Sequence, residues 1–122
     1  MLLMGIVLGC VPLASFAQRQ LVQVPPPSGK VLVRHLIAAP GDFIELCTAI
    51  KSGRAVDWEF DAQTPVTFNT HFHGEGRVKY PESMSAMSSA KGRLVPGGDH
   101  EYCWMWSNPT TAPVTIRVQL TP

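Results

Sequence analysis

Residues 54–72 read RAVDWEFDAQTPVTFNTHF, and their alternation decides the fold class. Val56, Trp58 and Phe60 fall on one side of an extended chain; Asp57, Glu59 and Asp61 fall on the other. A period of two marks a strand with one buried face. The acidic trio is then a solvated face, because such side chains are seldom buried. After Pro65 the alternation resumes, with Val66, Phe68 and Phe72 on one side.

The same pattern runs outward in both directions. Residues 30–37 (KVLVRHLI) stop at Pro40-Gly41, and residues 42–50 (DFIELCTAI) stop at Ser52-Gly53. Downstream, 77–80 and 92–95 are brief runs, while 100–107 (HEYCWMWS) put Tyr102, Trp104 and Trp106 on one face as a core stripe. Residues 113–120 (PVTIRVQL) alternate to the end. About seven or eight short strands separated by turn residues predict an all-β antiparallel sandwich. Residues 81–99 hold Pro, Ser, Gly, Met84 and Met87. They are expected to form a long loop, with a turn or two of helix as the alternative, and to offer a contact surface.

A chain of 122 residues is long enough for one domain. Its net charge of +1 comes from interleaved acids and bases. No basic stripe is present, which argues against a nucleic-acid surface. Residues 1–17 (MLLMGIVLGCVPLASFA) are uncharged and end in Ser15-Phe16-Ala17. The apolar run is too short to span a bilayer comfortably, so it reads as a signal peptide cleaved after Ala17. A buried helix or an uncleaved anchor is the alternative, and Cys10 is read as part of the apolar run rather than as a lipidation site. The protein is accordingly expected to be periplasmic or secreted, with no membrane span after the signal. Residues 18–29 (QRQLVQVPPPSG) read as a proline-rich lead-in, and 30–122 as the sandwich domain.

Removing the signal leaves Cys47 and Cys103. Export favours a disulfide between them; soft metal ligands are the alternative. The segment 69–75 (NTHFHGE) carries the strongest chemical suggestion. On a strand His71 and His73 share a face and can chelate copper or zinc, with Glu75 adding an oxygen. Met84, Met87 and Met105 offer soft sulfur. Against this, Thr67 and Asn69 share the same face, which can equally be the polar side of a half-buried strand with two exposed histidines. A blue-copper centre is disfavoured because no histidine follows Cys103; His100 precedes it. A hydrolase would need His71, His73 or His100 in a pocket beside a nucleophile, and no Gly-x-Ser-x-Gly, His-Glu-x-x-His or phosphate-loop motif is present. The leading expectation is a binding module for a protein or small ligand, followed by metal handling and then hydrolysis.

The order Ile44-Glu45-Leu46-Cys47, Lys51-Ser52-Gly53, Val56-Asp57-Trp58-Glu59-Phe60 resembles the opening half of a GOLD domain. Residues 99–108 (DHEYCWMWSN) and 114–120 resemble its closing strands. The resemblance implies a β-sandwich with Cys47 bonded to Cys103. In cargo-receptor members the late Cys lies nearer the Asn than Cys103 does to Asn108. Their coiled coil, membrane span and cytosolic tail have no counterpart here, so trafficking is not implied.

Overall fold

The computed structural model describes residues 20–122, and the expected signal peptide lies outside the described residues. Seven strands follow in order: β1 (Leu21–Gln23), β2 (Leu32–Ala38), β3 (Phe43–Ile50), β4 (Val56–Gly74), β5 (Arg77–Leu94), β6 (His100–Ser107) and β7 (Val114–Thr121). They form one curled sheet in the order β1-β3-β6-β4-β7-β2, with β5 paired to β4. All pairs are antiparallel except β1 with β3. The all-β expectation holds; the sandwich is one sheet bent on itself, with a single parallel edge.

The bend lies in β4. Its first half pairs with β7 (Asp57 opposite Thr121 through Ala62 opposite Ile116). Its second half pairs with β6 (Thr67 opposite Ser107 through Phe72 opposite Tyr102). Between the halves, the pairing with β5 is interrupted from Asp61 to Val66. Pro65 sits in this gap, where the ladder needs no N–H from it. The two halves therefore face each other across the core. Phe60 lies 4.7 Å from Phe68 and 5.8 Å from Trp106, centroid to centroid, and Trp58 lies 4.9 Å from Phe68. Trp104, Trp106 and Tyr102 are buried, as the stripe predicts. The ring N–H groups of Trp58, Trp104 and Trp106 meet no protein acceptor, a cost that their large apolar area must offset.

Two expected boundaries change. Residues 81–94 are strand rather than loop: they continue β5, an 18-residue partner of β4. Low intrinsic β-propensity in SMSAMSSA is overridden because β4 supplies the ladder. The irregularity is absorbed in register shifts, and Ala86 adopts a φ of 56°. The two short strands expected around Pro65 are likewise one 19-residue strand. Gly92 lies opposite Trp58, and a Cβ there would stand 2.6 Å from the indole, so only glycine lets the ring lie against β5. At the other end, Val22 and Val24 of the proline-rich lead-in pack on the domain, and the Thr48 hydroxyl donates to the Pro25 carbonyl at 3.0 Å. Asn108, buried beside the chain reversals, donates to the carbonyls of Ala38, Ala39 and Ala112.

Cys47 and Cys103 are direct cross-strand neighbours on β3 and β6 and are joined by a disulfide. Their sequence separation is 56, and closing a loop of that size contributes about 4 kcal/mol in the chain-entropy model. Replacing both cysteines by alanine should lower unfolding free energy by about that amount in urea titration. A loss below about 1 kcal/mol would mean the denatured chain is little constrained by the bond.

Candidate functional site

The β3–β6–β4 half of the sheet has two faces of different chemistry. Leu46, Trp104 and Thr70 align in register toward the core, as do Ile44, Trp106 and Phe68. The intervening rows, Glu45–Met105–Asn69 and Cys47–Cys103–His71, point to the outer face. Pleating thus collects a carboxylate, an amide, an imidazole, a thioether and the disulfide on one patch.

His71 lies at its centre and is only 6% exposed, in contrast to the exposed histidine that a simple polar face predicts. Its Nδ1 stands 2.8 Å from Asn69 Oδ1. An amide oxygen only accepts, so Nδ1 carries the proton and donates it. In the neutral ring, Nε2 is then a bare lone pair. That atom stands 3.3 Å from Glu45 Oε2. Burial pushes the His71 pKa below that of a free imidazole; Glu45 opposes the shift and His73 adds to it. The carboxylate of Glu45 therefore faces the second ring nitrogen of His71, and a cation at that nitrogen, a proton or a metal ion, satisfies both groups.

Of the residues expected to hold a metal, His73 is beside His71, with ring centroids 5.6 Å apart. Tyr80 lies 5.9 Å from His71 on the other side. Glu75 is elsewhere. It occupies the β4–β5 turn with Gly76, both at positive φ (53° and 71°), as a two-residue hairpin turn requires. Its carboxylate is exposed and lies 4.0 Å from Lys79 Nζ. Met84 and Met87 stand opposite Phe68 and Val66 and pack against the core, the reverse face from the histidines. The oxygen that faces His71 comes from Glu45, thirty or so residues away from Glu75 in sequence. Only the register β3–β6–β4 reveals it; Glu45 sits two positions before Cys47, so the pairing of Cys47 with Cys103 and Cys103 with His71 was the usable signal.

Further along the same face, Gln23 Nε2 donates to Glu101 Oε2 at 2.6 Å, reaching across β3 near Cys47. A groove of about 440 Å³ lined by Asp57, Trp58, Glu59, Lys91 and Gln119 lies on the other half of the molecule and holds no histidine. The pocket with His100, of about 390 Å³, includes neither His71 nor His73. Neither of these two cavities is lined by His71 or His73.

No family model matches the chain, and no curated protein matches it. Solved structures do. A periplasmic inhibitor of g-type lysozyme from Aeromonas hydrophila aligns with TM-score 0.53 at 10% identity, covering 84% of this chain and 96% of that one. The pre-peptidase C-terminal domain of a Bacillus anthracis collagenase aligns with TM-score 0.51 at 12% identity, covering 83% and 94%. At these identities the likeness concerns the fold alone.

The lowered pKa of His71 has a consequence for stability. Because the folded value lies below the unfolded one, the unfolded chain takes up the proton first as pH falls. The contribution is fully present above about pH 6.5 and is lost below it. Urea midpoints should fall on the acid side, and His71→Gln should flatten that part of the profile. An equal slope in both proteins would contradict a buried neutral ring.

Proposed function

We propose that this chain is an exported β-sandwich binding module whose ligand face is the outer face of β3–β6–β4, and that the ligand is a copper or zinc ion held through His71. The observation that carries this reading is the 3.3 Å approach of His71 Nε2 to Glu45 Oε2. A cation at Nε2 satisfies both groups, and a metal ion there would also be within reach of the other donors of the patch. Asn69 supports the same reading, since metal-ligating histidines commonly donate their other ring N–H to an oxygen acceptor. His73 is the nearest additional nitrogen donor. Met105, on the Glu45–Asn69 row, is the nearest thioether. Export is supported by the disulfide, which persists in oxidising compartments. A GOLD-like relationship belongs to the same proposal, supported by the Cys47–Cys103 pairing.

Titration of the described domain with Cu(II), Cu(I) and Zn(II) checks this reading. One ion per chain is expected. His71→Ala should abolish high-affinity binding, and Asn69→Ala should weaken it roughly 10–100-fold. Unaltered affinity in His71→Ala would remove the site.

A second reading, binding of a protein, is favoured by a separate observation. Tyr80 and Val78 are 57% and 41% exposed near the histidines, and among the described residues β5 pairs with β4 alone, so its other edge has no described partner. An open edge can accept an additional strand. The Aeromonas neighbour is itself an inhibitor of a protein, which supports this reading as a use of the fold. A photo-crosslinker placed at Tyr80 should capture one discrete partner in the cell envelope, whereas one at Arg34 should not. Equal labelling from both positions would count against it.

A further inference from the structure

We propose that reduction of the Cys47–Cys103 disulfide adds the Cys103 thiolate to His71 and Glu45 and so makes a three-donor metal centre on the outer face, with metal affinity set by the redox state of this bond. The inference rests on the metal reading of His71 and Glu45 and extends it to the Cys103 sulfur. Donor atoms of Glu45, His71 and Cys103 all lie within 4.8 Å of one another, and so do those of Cys47, Glu101 and Cys103. Cys103 belongs to both groups and links them.

In a tetrahedral zinc site, bond lengths of 2.0–2.3 Å place the donors about 3.3–3.8 Å apart. The His71–Glu45 separation of 3.3 Å already matches that spacing. In the disulfide the sulfurs have no thiolate charge to offer, and His71 with Glu45 supplies only two protein ligands. Once reduced, Cys103 brings a thiolate within reach of both, giving an N, O, S set that suits zinc with the fourth position open to water.

The framework for the reduced state exists without the bond. Cys47 stands opposite Cys103 within an eight-residue ladder running from Phe43–Ser107 to Ile50–His100, and His71 stands opposite Cys103 in the next ladder. Backbone pairing on either side therefore keeps the thiols adjacent when the covalent link opens. The core row of Leu46, Trp104 and Thr70 lies on the other face and does not depend on the sulfurs.

Access is controlled by the sheet edge. Cys47 and Cys103 are 1% and 3% exposed. Cys47 is flanked by Gln23 of β1, a three-residue strand at the end of the sheet. Short terminal strands open at low free-energy cost, so lifting β1 and breaking the Gln23–Glu101 bond would uncover Cys47. The reductant is a dithiol of the thiol–disulfide oxidoreductase class. One of its thiolates attacks one cysteine sulfur to give a mixed disulfide and releases the other cysteine as a thiol. Its second thiol then displaces the first cysteine; the dithiol ends as a disulfide, and Cys47 and Cys103 as two thiols. Metal binding releases the Cys103 thiol proton to solvent.

The test uses the described domain in two states, oxidised and reduced, the latter desalted free of reductant under anaerobic conditions. Each is titrated with Co(II) and Zn(II), and near-ultraviolet circular dichroism follows the tryptophan core. The reduced protein should bind one ion roughly a hundredfold or more tighter, with a sulfur-to-cobalt charge-transfer band. The band should disappear in Cys103→Ser, and affinity should drop in His71→Ala. Equal affinity in the two states, absence of the sulfur band, or loss of the tryptophan signal on reduction would each overturn the switch. Binding only after reduction would refute the oxidised His71–Glu45 site while sustaining the switch. Tight binding by the oxidised protein with no gain on reduction would do the reverse.

Discussion

The contact of Phe60 with Phe68 and Trp106 is the constraint on which the rest of the molecule depends. It brings one half of β4 over the other and turns a long hairpin into two layers. Without it the sheet would have an apolar face of tryptophan and phenylalanine open to water, and the hydrophobic gain on burying such rings would be lost. The ladder gap from Asp61 to Val66 makes the bend accessible, because few hydrogen bonds must be sacrificed there. Gly92 serves the same closure by letting the Trp58 indole approach β5.

Closing the core this way fixes the outer face as well. Side chains alternate strictly, so every residue committed inward determines its neighbours outward. With Trp104 and Trp106 inside, Cys103 and Met105 must lie outside; with Phe68 inside, Asn69 and His71 must lie outside. The disulfide consequently lies on the same surface as the imidazole. A one-residue slip of β6 against β4 would turn Cys103 to the core face and tryptophan to the outer face, so packing protects the register of the polar patch. The patch needs no loop to assemble it, which is why its side chains are buried and oriented.

Much of the fold was legible because alternation reports burial directly. Residues 100–107 and 113–120 alternate cleanly, and they form β6 and β7 within one residue of expectation. The segment 81–94 was not legible, because Ser, Ala and Met carry no period and β5 exists through pairing with β4 rather than through its own preference. The parallel edge at Leu21–Gln23 was hidden by the three prolines that follow it. At the site, His71 and His73 were visible from their spacing. Glu75 looked like their partner because it was near in sequence, yet positive φ at the turn carries it away. Glu45 was invisible for the opposite reason: only the order β3-β6-β4 brings it to His71. Periodicity identifies which face a residue occupies, whereas strand order decides its neighbours.

The electrostatics of the patch follow from that neighbourhood. Asn69 fixes the tautomer of His71 and thereby aims a lone pair at Glu45. If structure alone were served, an apolar residue in place of His71 would leave the core untouched, because the core lies on the other face. Directing the second ring nitrogen at a carboxylate makes a place for positive charge: burial and His73 work against a proton there, while Glu45 favours it. A bound cation satisfies both acceptors at once and exploits the rigidity of three paired strands. The same rigidity places the Cys103 sulfur within reach of both, so the chemistry of the patch depends on whether that sulfur is bonded to Cys47 or free to bind.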